Sequence, residues 1–370
     1  MKIIYVGSPE LFGTGASSIH VAKTVEAFAD NGHDVDLILP IKKEEINKFY
    51  DYYSVKRNFN IKRKFGFRAG SLRHFLHGIL SIFSIYPNYD FIVTRNITFA
   101  YIASFFFKNI IIDIHHPPIN LFSKIAIRRF INSKNILKIT FNSQGTLEEV
   151  AKNSDRNEKY LVCHNGVDLR QFKIKHDTLS IKKKYNINND KKIITYIGNI
   201  YRGRGIEKII DLAKDMPEFM FMIVGGSNNE VDEYKRLMPD NIENIFFLGF
   251  INHKYIPEIY SISDIMLIPY DDDFTIKGNT DASKFSSPIK IFEHLASGKP
   301  IVASKIKSIE EILENNIDSI LVNAESLLSY KQAIKKILYD NKMYDEISKK
   351  ALLKSKKHSW KKRAEKIISI

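Results

Sequence analysis

The sequence predicts an α/β protein made of two doubly wound, Rossmann-like parallel sheets in series. Three observations predict it. Short β-branched runs such as KIIYVG, FIVTR and NIIIDIH alternate with longer helical stretches, the pattern of parallel strands joined by crossover helices. The pattern starts afresh at KIITYIGN (192–199). The length, 370 residues, exceeds one ordinary domain and suits two.

The first series opens with KIIYVG (2–7), the helical SSIHVAKTVEAFADNGH (17–33) and VDLILP (35–40). FIVTR (91–95), FAYIASFFF (99–107), NIIIDIH (109–115), LKITFNS (137–143) and YLVCHNGVD (160–168) follow. The second series runs from KIITYIGN through the helical GIEKIIDLAKDM (205–216) to FMFMIVGG, NIFFLGF, DIMLIPY and IVAS. Between them, 170–192 is polar and lacks strand character, so the break between domains is expected there.

Composition narrows the class. Apolar residues make up 44% of the chain, enough for a large core. The most apolar stretch, 75–93, is interrupted by His77, Ser81, Ser84, Pro87 and Asp90, so no membrane span is expected. MKIIYVGSP reads as a first strand rather than a leader. A single cysteine, Cys163, excludes internal disulfides and cysteine-cluster metal sites. These features suit a cytoplasmic protein. The net charge of +14 suits an anionic partner, or simply a soluble surface.

In doubly wound sheets, ligands bind beyond the carboxyl ends of the strands, at loops leading into helices. Three such loops carry glycines. After the first strand, Gly13 and Gly15 bracket Thr14 ahead of a helix. This is not the dinucleotide fingerprint, because a third glycine and a following acid are missing, and a tight turn without ligand is the plain alternative. In YIGNIYRGRGIEKII, Gly198 ends a strand, and Arg202 and Arg204 flank Gly203 before Gly205 opens a helix. Guanidinium groups at a helix start can hold a diphosphate, and a solvated loop is the alternative. Gly225 and Gly226 mark a strand-to-turn junction suited to close approach by a nucleobase or sugar. SPIKIFEHLASGKPIVAS (287–304) carries Glu293 on an apolar helix that stops at Gly298.

In this order, GTGASSIHVAKTVEAFADNGHDVDLIL, DIHHPP, FNSQGTLEEV, HNGVDLRQF, YIGNIYRGRGIEKII, SDIMLIPY and SPIKIFEHLASGKPIVAS resemble family 4 of the retaining, GT-B-fold glycosyltransferases over nearly the full chain. The resemblance implies two Rossmann-like domains facing across a cleft. It assigns acceptor binding to 1–172, with a C-terminal helix at 355–370 crossing back and anchored by Trp360, and donor binding to 173–354. It implies a nucleotide-diphosphate sugar as donor, UDP-linked, and neither metal nor cofactor. The donor site would comprise Gly13, Thr14, Gly15, Gly198, Asn199, Arg204, Gly225, Gly226, Ser286, Ser287, Pro288, Ile289, Lys290 and Glu293. Glu293 matches the glutamate that accepts both ribose hydroxyls, the plain alternative being a first-turn acid favoured by the helix dipole. Arg204 and Lys290 would neutralise the leaving diphosphate. His115 matches a histidine near the donor sugar, with a satisfied structural histidine as the alternative. No side-chain nucleophile or general base is implied. Transfer would proceed on the front face, the leaving phosphate oxygen helping to deprotonate the acceptor.

Two positions depart from the family pattern. Asn199 stands where relatives carry arginine, and Phe285 stands where they carry a second acid. Asp281 or the acids of YDDDF (270–274) are candidate substitutes, the triplet reading more simply as a solvated loop. Two other readings stay open: a nucleotide-sugar epimerase of the same architecture, and a degenerate donor-binding subunit. The resemblance implies surface-glycan synthesis, with a saccharide or polyprenyl-diphosphate-linked acceptor at the inner face of the cell membrane. Basic stretches with interleaved aromatics fit an anionic membrane: 54–80, with Lys62, Arg63 and Lys64, and 123–138, where Ile125, Ile127, Phe130 and Ile131 alternate with Lys124, Arg128, Arg129 and Lys134. No recognised nucleic-acid motif is present.

Overall fold

The structure, a computed structural model, describes residues 1–13, 15–64, 71–152, 158–187, 190–239, 241–276 and 280–369. The chain divides into two compact units, Met1–Gly166 with Trp360–Ile370, and Val167–Ser359.

The first unit is built on seven strands: β1 (Lys2–Val6), β2 (Asp34–Leu39), β3 (Asn60–Arg63), β4 (Phe91–Thr94), β5 (Ile110–Ile114), β6 (Ile136–Phe141) and β7 (Tyr160–Val162). They form one sheet in the order β3-β2-β1-β4-β5-β6-β7, with every pairing parallel. In the second unit, β8 (Ile193–Ile197), β9 (Met220–Val224), β10 (Ile245–Gly249), β11 (Ile265–Ile268), β12 (Thr275–Ile276), β13 (Thr280–Asp281), β14 (Ile301–Ser304) and β15 (Ile320–Val322) follow. Six of these form a parallel sheet in the order β10-β9-β8-β11-β14-β15, and β12 pairs with β13 as a small antiparallel ribbon.

Helices cover both faces of a doubly wound sheet, so its strands are apolar on both faces. That explains the unbroken runs: every residue of IITYI, MFMIV and IMLI is buried. Burying each such side chain contributes about 1.5–3 kcal/mol. In both sheets the strand order reverses once, between β1 and β4 in the first and between β8 and β11 in the second. Loops leaving the carboxyl ends of these strands meet at that reversal. The loops after β1 and β4 carry Gly13, Gly15 and Arg95, and those after β8 and β11 carry Gly198, Arg204 and Tyr270.

The polar stretch 170–192 is not a bare linker. It carries a 3₁₀ turn, Gln171–Lys173, and a helix, Thr178–Lys184, and it buries Ile181 and Ile187 in the second core. Val167 donates its N–H to the carbonyl of His358, which ties the start of that segment to the end of the same unit. The last helix, Trp360–Ile368, belongs to the first unit and packs on helix Ala16–Asp30. Trp360 is buried there, edge-on to the His20 ring at 5.2 Å between centroids.

Candidate functional site

In the second unit, β8 runs into Gly198, whose φ of +153° suits glycine. A Cβ at Gly198 would meet Lys290 Nζ, and one at Gly225 would strike the carbonyl of Gly198. Gly203, Gly205 and Gly226 also lie in the left-handed half of φ, and a Cβ at Gly205 would strike the carbonyl of Pro269. The close approach of these strand ends thus requires glycine at several points.

Two cations are held where the ends converge. Lys290 Nζ donates to the carbonyl of Ile197 at 2.8 Å and lies 4.3 Å from the Tyr196 ring and 4.7 Å from the Tyr270 ring. The Arg204 guanidinium lies 4.5 Å from the Tyr270 ring and 4.4 Å from that of Phe274. Burial, with Arg204 close by, pulls the Lys290 ammonium below its usual range. Burial pushes the Tyr270 phenol up, and the charges of Arg204 and Lys290 more than offset it, leaving the phenol below its usual value. Two like charges in one low-dielectric setting repel each other, so the arrangement favours an anion between them. Arg204 Nε and Ser286 Oγ are buried without a hydrogen-bond partner among the described residues.

Ser286, Ser287 and Pro288 lead into helix Ile289–Ser297, which no side chain caps. The Ile291 N–H donates to the carbonyl of Pro288 at 3.2 Å, which leaves the N–H groups of Ile289 and Lys290 ahead of it for an outside acceptor, and the helix dipole favours negative charge there. Gly298, with φ of +67°, ends the helix in the left-handed conformation. Glu293 is the fifth residue of this helix and lies beyond its first turn, so the dipole explanation for it loses its footing. It is 7% exposed, and its Oε1 is 2.5 Å from His253 Nε2. The bond engages one of the two carboxylate oxygens.

Asn199 is exposed, and its carbonyl accepts the Tyr196 hydroxyl at 2.6 Å. Phe285 is buried in the hydrophobic core. Of the acids offered as substitutes for it, Asp271 is paired with Lys208 Nζ at 2.6 Å, and Asp272 and Asp273 are exposed. The second unit therefore brings Arg204 and Lys290 together around Tyr270, with Gly198 beside Lys290 and Gly225 against Gly198.

Gly13, Gly15 and His115 are in the first unit, and Thr14 lies outside the described residues. The Gly13 loop is held by aromatics: the Tyr52 hydroxyl reaches the carbonyl of Phe12 at 3.2 Å, and Phe12 N–H donates to the Tyr53 hydroxyl at 2.7 Å. Gly15 caps helix Ala16–Asp30 in an extended conformation with open space at its Cβ position.

His115 Nε2 is 2.9 Å from Asp113 Oδ2. Burial first, then the charge of Arg95, pulls its pKa down to about 3, so the ring is neutral near pH 7. A neutral ring beside a carboxylate carries its proton on Nε2, which leaves the lone pair on Nδ1. Asp113 is the hub of a buried network. Arg363 Nη2, from the last helix, donates to both of its oxygens at 2.9 Å, and Thr140 Oγ1 donates to Oδ1 at 2.8 Å. Burial would raise the Asp113 carboxyl, but Arg363 first, then His115, hold it well below its usual range. His20, Asp113 and His115 have the composition of a metal-binding trio, with donor atoms within 4.8 Å of one another. Arg363 already engages both carboxylate oxygens and supplies the positive charge there.

Sequence reasoning missed several of these residues. Tyr196, Tyr270 and Phe274 frame the two cations, His253 holds Glu293, and Arg363 and Arg95 set the charge around His115. Tyr270 could have been found as the residue ending DIMLIPY, two positions past a buried strand. The basic clusters need correction. Ile127 and Phe130 are buried core residues rather than an apolar stripe facing outward, and Arg129 is spent on Ser104 and the Phe105 ring. Lys62 is tied to Asp36 at 2.8 Å and to the Tyr89 hydroxyl at 2.9 Å. Residues 65–70 of the first cluster lie outside the described residues.

The fold agrees with what known proteins show. The structure resembles that of Anabaena Alr3699/HepE in complex with UDP, with a TM-score of 0.72 at 18% identity over 99% of this chain and 98% of that one. It also resembles WaaG, a glycosyltransferase involved in lipopolysaccharide biosynthesis, with a TM-score of 0.66 at 11% identity over 100% of both chains. The fold is therefore the GT-B type, two Rossmann-like parallel-sheet domains. Residues 177–354 match the family described as "Glycosyl transferases group 1". The chain is 23% identical to an uncharacterized glycosyltransferase of Methanocaldococcus jannaschii, MJ1069, over 85% of this chain and 87% of that protein. It is also 23% identical, over 38% of this chain and 36% of that protein, to the alpha-galactosylglucosyldiacylglycerol synthase of Streptococcus pneumoniae. A group 1 glycosyltransferase domain at 177–354 on a GT-B fold, with these relatives, supports a glycosyltransferase.

Proposed function

We propose that this protein transfers a sugar from a UDP-linked donor, with retention of anomeric configuration, to a saccharide acceptor carried on a polyprenyl diphosphate at the inner face of the cell membrane. The observation that carries the donor reading is the pair of cations, Arg204 and Lys290, held over one buried tyrosine at the reversal of the second sheet. A diphosphate there neutralises both charges and receives the uncapped N–H groups of helix Ile289–Ser297. Negative charge on the leaving diphosphate grows as the glycosidic bond breaks, so these groups act most strongly in the transition state. Two fixed cations and a helix terminus do the work that a divalent metal does elsewhere, so the reaction proceeds without one. The solved complexes of the Anabaena protein with UDP and with UDP-glucose support uridine as the base.

In this reading Glu293 accepts the ribose hydroxyls, and Gly225 and Gly226 let the nucleoside approach the backbone. His115 presents Nδ1 to the transferred sugar or the acceptor. The lipid-linked acceptor draws support from WaaG and the diacylglycerol synthase, whose named roles concern glycolipids.

Glu293→Ala is expected to weaken UDP-sugar binding about ten- to a hundredfold, the cost of a charged hydrogen bond to a hydroxyl pair. The check is a calorimetric titration of wild type and variant, with circular dichroism to confirm the fold. Equal affinities would remove Glu293 from the donor site.

A further inference from the structure

The first unit exposes an apolar face that the proposed chemistry does not use, seated on the core through half-buried Tyr101. Helix Ile97–Phe106 ends in Phe105 and Phe106, which are 50% and 71% exposed. Helix Leu121–Asn132 begins with Leu121 and Phe122, 73% and 40% exposed, and continues with exposed Ile125. The face is continuous. The Tyr101 ring lies 5.5 Å from that of Phe105 and 5.5 Å from that of Phe122, and Phe105 touches Phe106 at 6.5 Å. Large apolar side chains grouped this way on a surface mark a contact site.

The charge around the face selects the partner. Lys108, Lys124 and Arg128 are exposed beside it, and Arg129 lies over the Phe105 ring at 4.1 Å. Between Asp51 and Glu148 the sequence holds 14 Lys and Arg residues but only two acids, Asp90 and Asp113, and Asp113 is buried and paired. Leu121, Lys124, Ile125 and Arg128 follow the spacing of a single helix face, while Ser123, Ala126, Ile127 and Phe130 are buried. Aromatic and aliphatic groups ringed by cations, with no acid among them, are complementary to an anionic bilayer. The apolar groups enter the acyl boundary while the cations meet the headgroups. No helix of the described residues is long and apolar enough to cross a membrane.

We infer that the face formed by Tyr101, Phe105, Phe106, Leu121, Phe122 and Ile125 docks on an anionic membrane surface, with Lys108, Lys124 and Arg128 facing the headgroups. This deepens the proposed function, in which a lipid-linked acceptor is met at the membrane, by naming the surface that meets it. It also sets aside the first basic cluster and narrows the second to Lys124, Ile125 and Arg128, since Lys62, Arg129, Ile127 and Phe130 are committed within the fold.

The test is flotation of the full chain with phosphatidylcholine vesicles, with and without phosphatidylglycerol. Wild type floats with the anionic vesicles and stays behind with the neutral ones, and its recovery fades with salt, since exposed charges are screened over about 10 Å at 0.1 M. Phe106→Ser combined with Leu121→Ser reduces recovery by about tenfold or more at unchanged melting temperature and unchanged UDP binding. Lys124→Glu combined with Arg128→Glu does the same, and more so at low salt. Wild type that never floats, or that instead self-associates through this face, overturns the inference. If wild type floats and both variants float equally well, this face is not the contact, and the lipid-linked acceptor reading survives. Loss of UDP binding in wild type would count against the donor reading instead.

Discussion

Lys290→Met and Arg204→Ala are each expected to lower turnover at saturating donor by about a hundred- to a thousandfold, the usual loss when one preorganised group aimed at developing charge is removed. Donor affinity should fall much less, because the ground-state diphosphate keeps the other cation and the helix N-terminus. The expectation rests on geometry. Both cations border the Tyr270 ring, and Lys290 is fixed by the carbonyl of Ile197. Methionine fills the volume of the lysine stem, so the surrounding core should hold. Initial rates of sugar transfer across a donor concentration series separate the two effects. Variants that bind donor weakly yet turn over normally when saturated would show that these groups only anchor the substrate.

Arg363→Ala should destabilise the first unit by about 3–5 kcal/mol at pH 7, the cost of leaving one partner of a buried ion pair uncompensated. For a unit of this size that corresponds to a fall in melting temperature of roughly 10 °C. Both side chains are almost fully buried, at 3% and 1% exposure. The sign of the pH dependence follows from linkage. In wild type, Arg363 holds the Asp113 carboxyl below its unfolded value, so the pair stabilises above that value and the stabilisation is lost as pH falls through the folded pKa. In Arg363→Ala, burial is left to raise the carboxyl, and the penalty is relieved on acidification as Asp113 takes a proton. The gap between variant and wild type should therefore narrow from pH 7 to pH 5 in thermal unfolding. Adding Asp113→Asn should recover part of the loss at pH 7. Equal melting temperatures for wild type and Arg363→Ala would show that the pair is not the buried charge network described here.

How far the sequence was legible depends on distance along the chain. The two sheets were readable because each strand is a local signal, a short β-branched run with nothing polar in it. The helix after SSP was readable for the same reason: it has apolar spacing, a glycine stop and a strand after it. What bound Arg204 and Lys290 into one site was not readable, because Tyr196 lies in one strand while Tyr270 and Phe274 follow another, about seventy positions on, and only the strand order brings them together. His253 and Glu293 are forty positions apart, and Arg363 and Asp113 are farther apart still; neither pairing leaves a trace in local composition. The basic clusters misled for a related reason. Lys62, Arg129 and Phe130 look alike in sequence whether they face solvent or another side chain, and only packing tells them apart.

The most direct test is thermal unfolding of the wild-type chain against a panel of uridine, guanosine and adenosine diphosphates and their sugar conjugates, with uridine and pyrophosphate as controls. A ligand that binds only the folded state raises the melting temperature with its concentration, about 2.7 kcal/mol at a hundredfold excess over its dissociation constant. UDP and at least one UDP-sugar should protect in this saturable way. Uridine, which lacks the diphosphate, and pyrophosphate, which lacks the ribose, should each protect far less. Arg204 and Lys290 would then be confirmed as a diphosphate cradle. A folded protein whose melting temperature is unmoved by every diphosphate and every sugar conjugate would contradict the account at its centre.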